Sequence, residues 1–363
     1  MTNTMYGSPA SLFSGKARAY LDWKGADYVE IAPNLQIRNE VIVPAIGRMI
    51  IPVVETEDGA VLQDTSLIID HFEKTLGGPS IYPDTPRQHF AARLLECFGD
   101  EWLVLPAMHY RWNYNEEWIL EEFGRNMMPD APRDQQIAAG AMIGKQFRGF
   151  VPMLGINDTT IPAIEASYEA LLADLDAHFA DHPFLFGSRP SIGDYGLIGP
   201  LYAHLYRDPA SGKIMKRLAP RVAEWVERMV SPETPLSGDF LLDDEIPETL
   251  LPILARMMRE HVPFLGETAN LLESWLQENP EAEIPRGVGM ASFTIEGVQG
   301  EGIARTFSLW MLQRALDHFE SLEGNDRAAC EALLEEVGGE ALIKFSMPVR
   351  LAYENHTLVA AKS

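Results

Sequence analysis

Cysteine is nearly missing: Cys97 and Cys330 are the only two in 363 residues. Two thiols cannot build a disulfide framework or a cysteine metal site. Basic side chains are scarce as well, with 29 Lys and Arg against 53 Asp and Glu and a formal charge of −24. Phosphate backbones are held by Lys and Arg, so nucleic acid is excluded as a partner. No apolar run approaches the ~20 residues of a membrane-spanning helix, and no membrane partner is expected. The opening M-T-N-T-M-Y-G has neither the basic start nor the apolar core of a signal peptide, so cytoplasm is the default location. H-E-x-x-H, C-x-x-C, a Walker A loop and G-x-S-x-G are also absent, each the carrier of a specific chemistry. No metal is predicted.

What remains is an ordinary globular composition, 46% hydrophobic and 23% charged, on a chain long enough for two domains and a small third. The negative charge is uneven. Residues 231–363 carry 9 basic and 23 acidic side chains, whereas residues 1–230 carry 20 and 30. An acidic face of this kind is solvated and aids solubility.

The most informative stretch is 49–72, M-I-I-P-V-V-E-T-E-D-G-A-V-L-Q-D-T-S-L-I-I-D-H-F. One apolar run ends at Pro52, and a second, 59–62, follows the Asp58-Gly59 turn, which reads as a hairpin. Asp64-Thr65-Ser66 then opens a helical pattern, and a helix N-terminus offers free N–H groups and a positive dipole end to an anion. A proline inside an otherwise regular strand removes a ladder donor, so its place calls for a special reason such as a cis bond in a tight turn. Hairpin, proline and polar helix start together describe a site that could grip a peptide-like carboxylate.

Around this stretch, residues 1–76 alternate in type. A short strand at 4–7, a helix over 13–24, a strand at 28–31, an irregular segment 34–49, the hairpin and a helix over 67–76 give the order β-α-β-(α)-β-β-α. That order is a thioredoxin-like layer of sheet and helices. Between 86 and 230 the pattern predicts only helices: a long aromatic-rich stretch 87–115, then 134–151, 161–182, 195–206 and 219–229. Ser191-Ile192-Gly193-Asp194 has the form of a capping box before the fourth of these. Residues 231–239 have linker composition. Beyond them, helices are predicted over 246–278, 307–321 and 327–337, with the glycines of 287–302 assigned to turns.

Three motifs resemble the glutathione S-transferase superfamily. S-L-F-S-G-K-A-R-A-Y-L-D-W-K-G (11–25) is similar to its active-site strand end and first helix. I-P-V-V (51–54) with Q-D-T-S (63–66) is similar to its cis-proline strand and the acidic-serine element that follows. F-L-F-G-S-R-P-S-I-G-D-Y (184–195) resembles the capped helix of its C-terminal domain. The motifs stand in family order over about 1–230, and residues 231–363 have no counterpart in a standard member. The resemblance implies a thioredoxin-like glutathione-binding domain over 1–80, an all-helical domain over 86–230 and an acidic accessory helical region over 240–363.

It also implies roles. The Ile51 backbone, beside Pro52, would pair with the cysteinyl part of glutathione. Asp64 and Thr65, or in the alternative register Thr65 and Ser66, would hold its γ-glutamyl carboxylate and amine. Ser11 stands where serine-type members place the hydroxyl that stabilises the glutathione thiolate; Ser14 is the second candidate and Tyr6 the third. A free thiol titrates near a pKa of about 8.5, and a hydrogen-bond donor beside a helix N-terminus lowers it. His109 and Trp112, within a cluster that includes Trp102, Tyr110, Tyr114 and Trp118, are candidates for the wall of a second-substrate pocket. Arg111 is a candidate for touching a polar substrate, and Arg38 or Arg48 for the glycyl carboxylate. Glutathione is the expected co-substrate, a small hydrophobic electrophile the second substrate, and a homodimer the expected assembly. The reaction is transfer, isomerisation, ether cleavage or dehalogenation; the competing class is a non-catalytic binding or scaffold protein on the same fold.

Overall fold

The computed structural model describes residues 2–231, 236–280 and 282–361. Four of the linker-like residues, 232–235, therefore lie outside the described residues. The chain forms two compact units. The first gathers Met1–Ser80, Pro106–Val151 and Ile198–Ser237; the second gathers Ile81–Leu105, Pro152–Leu197 and Gly238–Ser363.

The first unit holds a four-stranded sheet built from β1 (Asn3–Tyr6), β2 (Tyr28–Ile31), β3 (Val53–Glu55) and β4 (Val61–Gln63), in the order β2-β1-β3-β4. β1 and β2 run parallel, and the β1–β3 and β3–β4 pairs are antiparallel. The crossover between β1 and β2 is helix α1 (Leu12–Lys24), capped by Ser11 and stopped by Gly25, whose φ of 69° needs a residue without Cβ. Its inward face places Leu12, Ala17, Tyr20, Leu21 and Trp23 in the core. The order matches the thioredoxin-like reading. One detail differs from the sequence reading: Pro52 does not sit inside a strand. It follows a cis Ile51–Pro52 bond and immediately precedes β3, so no ladder donor is lost. Asp58-Gly59 makes the turn, with Gly59 at φ 85° and the Thr56 hydroxyl accepting from the Ala60 N–H at 3.0 Å.

Helices Glu116–Met127 and Arg133–Met153 also belong mainly to this unit, together with Pro209–Leu218 and Pro220–Met229. The first and third of these are additions to the helices predicted from the pattern. The Pro209–Leu218 helix follows Asp208 with proline at its first position, a start signal legible in the sequence.

The predicted 87–115 stretch is divided: in the second unit Pro86–Cys97 is α-helical and Phe98–Trp102 widens to a π turn, and a new helix, Val104–Tyr114, belongs mainly to the first unit. The capping box is present in altered form. The Asp194 carboxylate accepts from both the Ser191 N–H (2.8 Å) and the Ser191 hydroxyl (2.9 Å), and takes the Leu185 N–H at 3.1 Å. Gly99 and Gly196 bring two backbones together. A Cβ on Gly99 would overlap the Gly196 carbonyl, and one on Gly196 would lie 2.5 Å from the Glu96 Cα. Because backbone rather than a flexible side chain is struck, Gly196→Ala should destabilise the protein by about 3 kcal/mol. A chemical-denaturation midpoint unchanged from wild type would refute this.

Past residue 240 the extension adds helices Leu251–Glu278, Thr306–Ser321 and Gly324–Glu336, as anticipated, plus two hairpins that were not. The glycine-rich piece is the first, Gly287–Ile295 paired with Val298–Arg305. Its inward residues alternate, with Ala291, Phe293 and Ile295 buried. Gly300 stands opposite Phe293, and a Cβ there would strike the phenyl ring. Its glycine is a place for an aromatic ring rather than a turn. The second hairpin, Leu351–Glu354 with Thr357–Ala360, turns at Asn355-His356, both at positive φ.

Candidate functional site

The sheet register gathers the motifs at one end. Tyr6 faces Val53, and Val53 faces Gln63, so these three residues form a single row across β1, β3 and β4. The segment leading to Ser11 leaves β1 just past this row, cis-Pro52 enters β3 just before it, and Asp64 leaves β4 just after it. All three lie in the first unit.

At the Asp64 corner the backbone is strained. Asp64 has φ 81°, a conformation that costs a non-glycine residue of order 1–3 kcal/mol and tends to mark functional positions. It is the N-cap of helix Thr65–Thr75: its Oδ1 accepts from the Ser66 N–H at 2.9 Å and the Leu67 N–H at 3.3 Å. Thr65 and Ser66 are buried. The Ser66 hydroxyl accepts from the ammonium of Lys16, a lysine of α1 with no solvent exposure, at 3.3 Å. Lys16 therefore ties α1 to the start of the Thr65 helix.

At the α1 corner Ser11 is half-buried and Ser14 fully buried. The Ser11 oxygen accepts the Ser14 N–H at 3.2 Å, which caps the helix and leaves the hydroxyl proton free to point elsewhere. The Ser14 hydroxyl has no hydrogen-bond partner among the described residues, yet it lies under Gly7, out of reach of solvent. Tyr6 is also in the row. Its hydroxyl donates to Glu55 at 3.3 Å, and burial, then the neighbouring carboxylate, raises its phenol above the ordinary value. A phenol so engaged is a poorer donor to an incoming thiolate.

The remaining candidates scatter. Between β2 and β3 residues 35–46 are helical, widening to a π turn at Arg38–Ile42; Arg38 is exposed in that turn and Arg48 half-buried past the helix end. His109 is buried, with Nδ1 2.8 Å from the Asn113 amide and its ring edge-on to Tyr114, which is 56% exposed. Trp112 is buried against Phe123 and Phe147. Trp118 lies beneath the Arg207 guanidinium, 5.7 Å away. Trp102 belongs to the other unit, packed on His261, Phe264 and Phe293. The aromatics predicted as one cluster thus fall into separate groups. Cys97 is buried, and burial, with the carboxylates of Glu101, Asp100 and Glu96 nearby, pushes its thiol well above the ordinary value, the opposite of a reactive cysteine.

Arg111 is buried. Its five N–H groups all find acceptors: Nε and Nη2 bind the Asp208 carboxylate at 2.7 and 2.8 Å, and Nη2 also donates to the Ala203 carbonyl at 2.6 Å. Nη1 donates to the Ala10 carbonyl at 2.6 Å and faces His204 Nε2 at 2.9 Å. Arg207 adds a bond to the Pro9 carbonyl at 2.7 Å and an ion pair with Glu122 at 3.1 Å. Sequence reading gave no signal for this assembly, because its members lie about a hundred residues apart.

Comparison with known proteins agrees with the motifs. The family model described as glutathione S-transferase, N-terminal domain, matches residues 5–80, and that described as glutathione S-transferase, C-terminal domain, matches residues 158–228. No curated protein matches the chain. Among solved structures, a glutathione S-transferase from Rhodospirillum rubrum F11 is 19% identical, covering 68% of this chain and 96% of its own, with a TM-score of 0.43. A beta-etherase from Sphingobium sp. strain SYK-6 is 18% identical, covering 63% and 95%, with a TM-score of 0.45. A rice enzyme in complex with glutathione is 18% identical, covering 65% and 93%, with a TM-score of 0.39. Both domain models of one family match in the family's own order, so residues 5–80 and 158–228 of the chain are similar to the two domains of the glutathione S-transferases.

Proposed function

We propose that the protein binds glutathione at the Tyr6–Val53–Gln63 end of the sheet and directs its thiolate onto a small hydrophobic electrophile. The observation that carries this reading is the register, which brings Ser11, cis-Pro52 and Asp64 to one end of one sheet. In this reading the Ile51 backbone pairs with the cysteinyl unit. The Asp64 carboxylate already caps Ser66 and Leu67, so toward the tripeptide it accepts the γ-glutamyl amine. The carboxylate of the same unit then takes the Thr65 end of the helix, where the dipole favours a negative charge. The Ser66 N–H is already given to Asp64 Oδ1, which supports this register over the one shifted by a residue.

Ser11 is the proposed thiolate donor. Its oxygen accepts from Ser14 N–H, so its own proton is available, and it stands at the N-terminus of a 13-residue helix. Solvent-excluded Ser14 is the second candidate, reached only if Gly7 moves. His109, beneath the exposed Tyr114 ring, and Trp112 are the proposed apolar wall for the electrophile, whose reaction is transfer, isomerisation, ether cleavage or dehalogenation. A homodimer in the cytoplasm is the proposed setting; among the described residues no helix is long and apolar enough to cross a membrane.

The test is retention on immobilised glutathione, followed by titration of thiolate absorbance near ~240 nm in the complex. Hydrogen bonds to charged groups are worth about 1.5–3 kcal/mol, so Ser11→Ala should raise the bound thiol's pKa by about 1–2 units. An unchanged pKa removes Ser11 from the mechanism. No retention and no thiolate in the wild type leave a non-catalytic scaffold as the function.

A further inference from the structure

We infer that Arg111 and Arg207 are positioning residues for the Ser11 hydroxyl, acting through the two peptide planes that precede it; this rests on Ser11 being the thiolate donor proposed above. The Ala10–Ser11 peptide is held at both of its polar atoms. Its carbonyl accepts from Arg111 Nη1 at 2.6 Å, and its N–H donates to the Ser8 carbonyl at 3.0 Å. The Pro9–Ala10 peptide is held the same way, its carbonyl by Arg207 at 2.7 Å and its N–H by the Ser8 hydroxyl at 3.3 Å. A peptide plane is rigid, so fixing both ends of two in succession fixes where the Ser11 Cα and Cβ stand.

The clamps are themselves anchored. Arg111 has no donor to spare: Asp208 takes two, and the Ala203 carbonyl, the His204 ring and the Ala10 carbonyl take the other three. With Nε2 facing a guanidinium, His204 accepts there and is neutral; burial, then the Arg111 and Arg207 charges, hold its pKa well below the ordinary value. Asp208 is the N-cap of the Pro209–Leu218 helix. Arg207 is oriented by Glu122 and lies over the Trp118 ring. The loop before Ser11 is thereby registered against a fixed buried frame instead of being left to solvent. A hydroxyl that must meet a sulfur within a few tenths of an ångström benefits from such a frame, since misplacement by about 1 Å costs up to 100-fold in rate.

Lysine offers three donors where Arg111 supplies five in a planar fork, so Arg111→Lys keeps the charge and loses part of the clamp. Arg207→Met removes the bond to Pro9 at a partly exposed site and leaves the buried frame in place, which keeps the test open should the Arg111 variant not fold. In both, amide exchange of residues 8–15 should quicken about 10-fold while that of the Thr65 helix stays unchanged. The bound glutathione pKa should rise and kcat fall about 10-fold, with KM for glutathione changed less than about 3-fold. Arg207→Lys, which can still reach the Pro9 carbonyl, should restore wild-type values. In a Ser11→Ala background, Arg207→Met should shift the thiol pKa no further, because the two act through one group.

If wild type binds glutathione and ionises it, but the thiol pKa moves as much in the Ser11→Ala background as without it, positioning through Ser11 is overturned while the proposed function stands. Unchanged exchange at residues 8–15 in Arg207→Met overturns it too, without reference to any activity. Failure of wild type to bind glutathione at all overturns both.

Discussion

Lowering the pH from about 6 to about 5 should cost the protein on the order of 4 kcal/mol of stability. The cause is a set of histidines folded into places where a proton is unwelcome. Burial brings His89 and His178 down to about 4 and His261 to about 3, with like charge from neighbouring His318, His182 and Arg305 as the next contribution in each case. His204 and His318 are lowered as well, again by burial first. In the unfolded chain each returns to about 6.5. The unfolded state therefore binds more protons than the folded one once the pH falls below about 6.5, and stability drops with pH until the folded pKa is reached. Each such histidine contributes a slope of about 1.4 kcal/mol per pH unit, and three with values near or below 4 act together through that window. Against a total stability of about 5–15 kcal/mol, a loss of this size removes a large share of the margin before the carboxylates titrate.

Denaturation midpoints at several pH values between 7 and 4 would show this. The sharper check is His261→Leu, which fills the same space beside Trp102 and Phe98 with a group that cannot titrate. Its Nδ1 has no hydrogen-bond partner among the described residues, so little is lost by removing it. The slope should flatten by about 1.4 kcal/mol per pH unit. A variant with the wild-type slope would show that His261 is not one of the groups responsible.

Truncating Arg111 to Leu should destabilise the protein by about 3–5 kcal/mol, among the largest effects of any single change in the first unit. The loss is not the value of the ion pair. Arg111→Leu leaves the Asp208 carboxylate, which has no solvent exposure, without its counter-charge, and strips donors from two backbone carbonyls. Burial already pushes the Asp208 carboxyl up and Arg111 pulls it back; without Arg111 the upward push is opposed only by the smaller effect of Arg207. Replacing both partners, Arg111→Leu with Asp208→Leu, should recover the part of the loss that comes from the buried unpaired carboxylate, about half, while the Ala10 and Ala203 carbonyls stay without their donors. Equal destabilisation in the single and double variants would sink this account. If recovery is seen while the thiol pKa of bound glutathione stays perturbed, stability and positioning are separated in one molecule.

How much of this was legible beforehand follows the range of the interactions. The Asp58-Gly59 turn, the Ser11 and Asp64 caps, Gly25 and the Ser191–Asp194 box are settled within four residues, and their chemistry is written in those residues. The Arg111 clamp is settled by Ala10, Ala203, His204 and Asp208, which no local pattern links to position 111. The hairpin at Gly287–Arg305 was hidden for another reason. Its glycines read as turns, but at Gly300 the missing side chain makes room for the Phe293 ring across the ladder. The alternation of Ala291, Phe293 and Ile295 was the available signal, outweighed by glycine content. Aromatics at 102–118 read as one wall because helical spacing cannot tell which packing partner each ring will find.

The row of Tyr6, Val53 and Gln63 has a practical converse. Strands β3 and β4 are three residues each, so the exposed Asp58-Gly59 tip stands about 10 Å from the row, on the side away from cis-Pro52 and Asp64. That tip is a natural graft point: a fluorophore or short epitope inserted there would travel with the sheet and leave the three converging segments undisturbed.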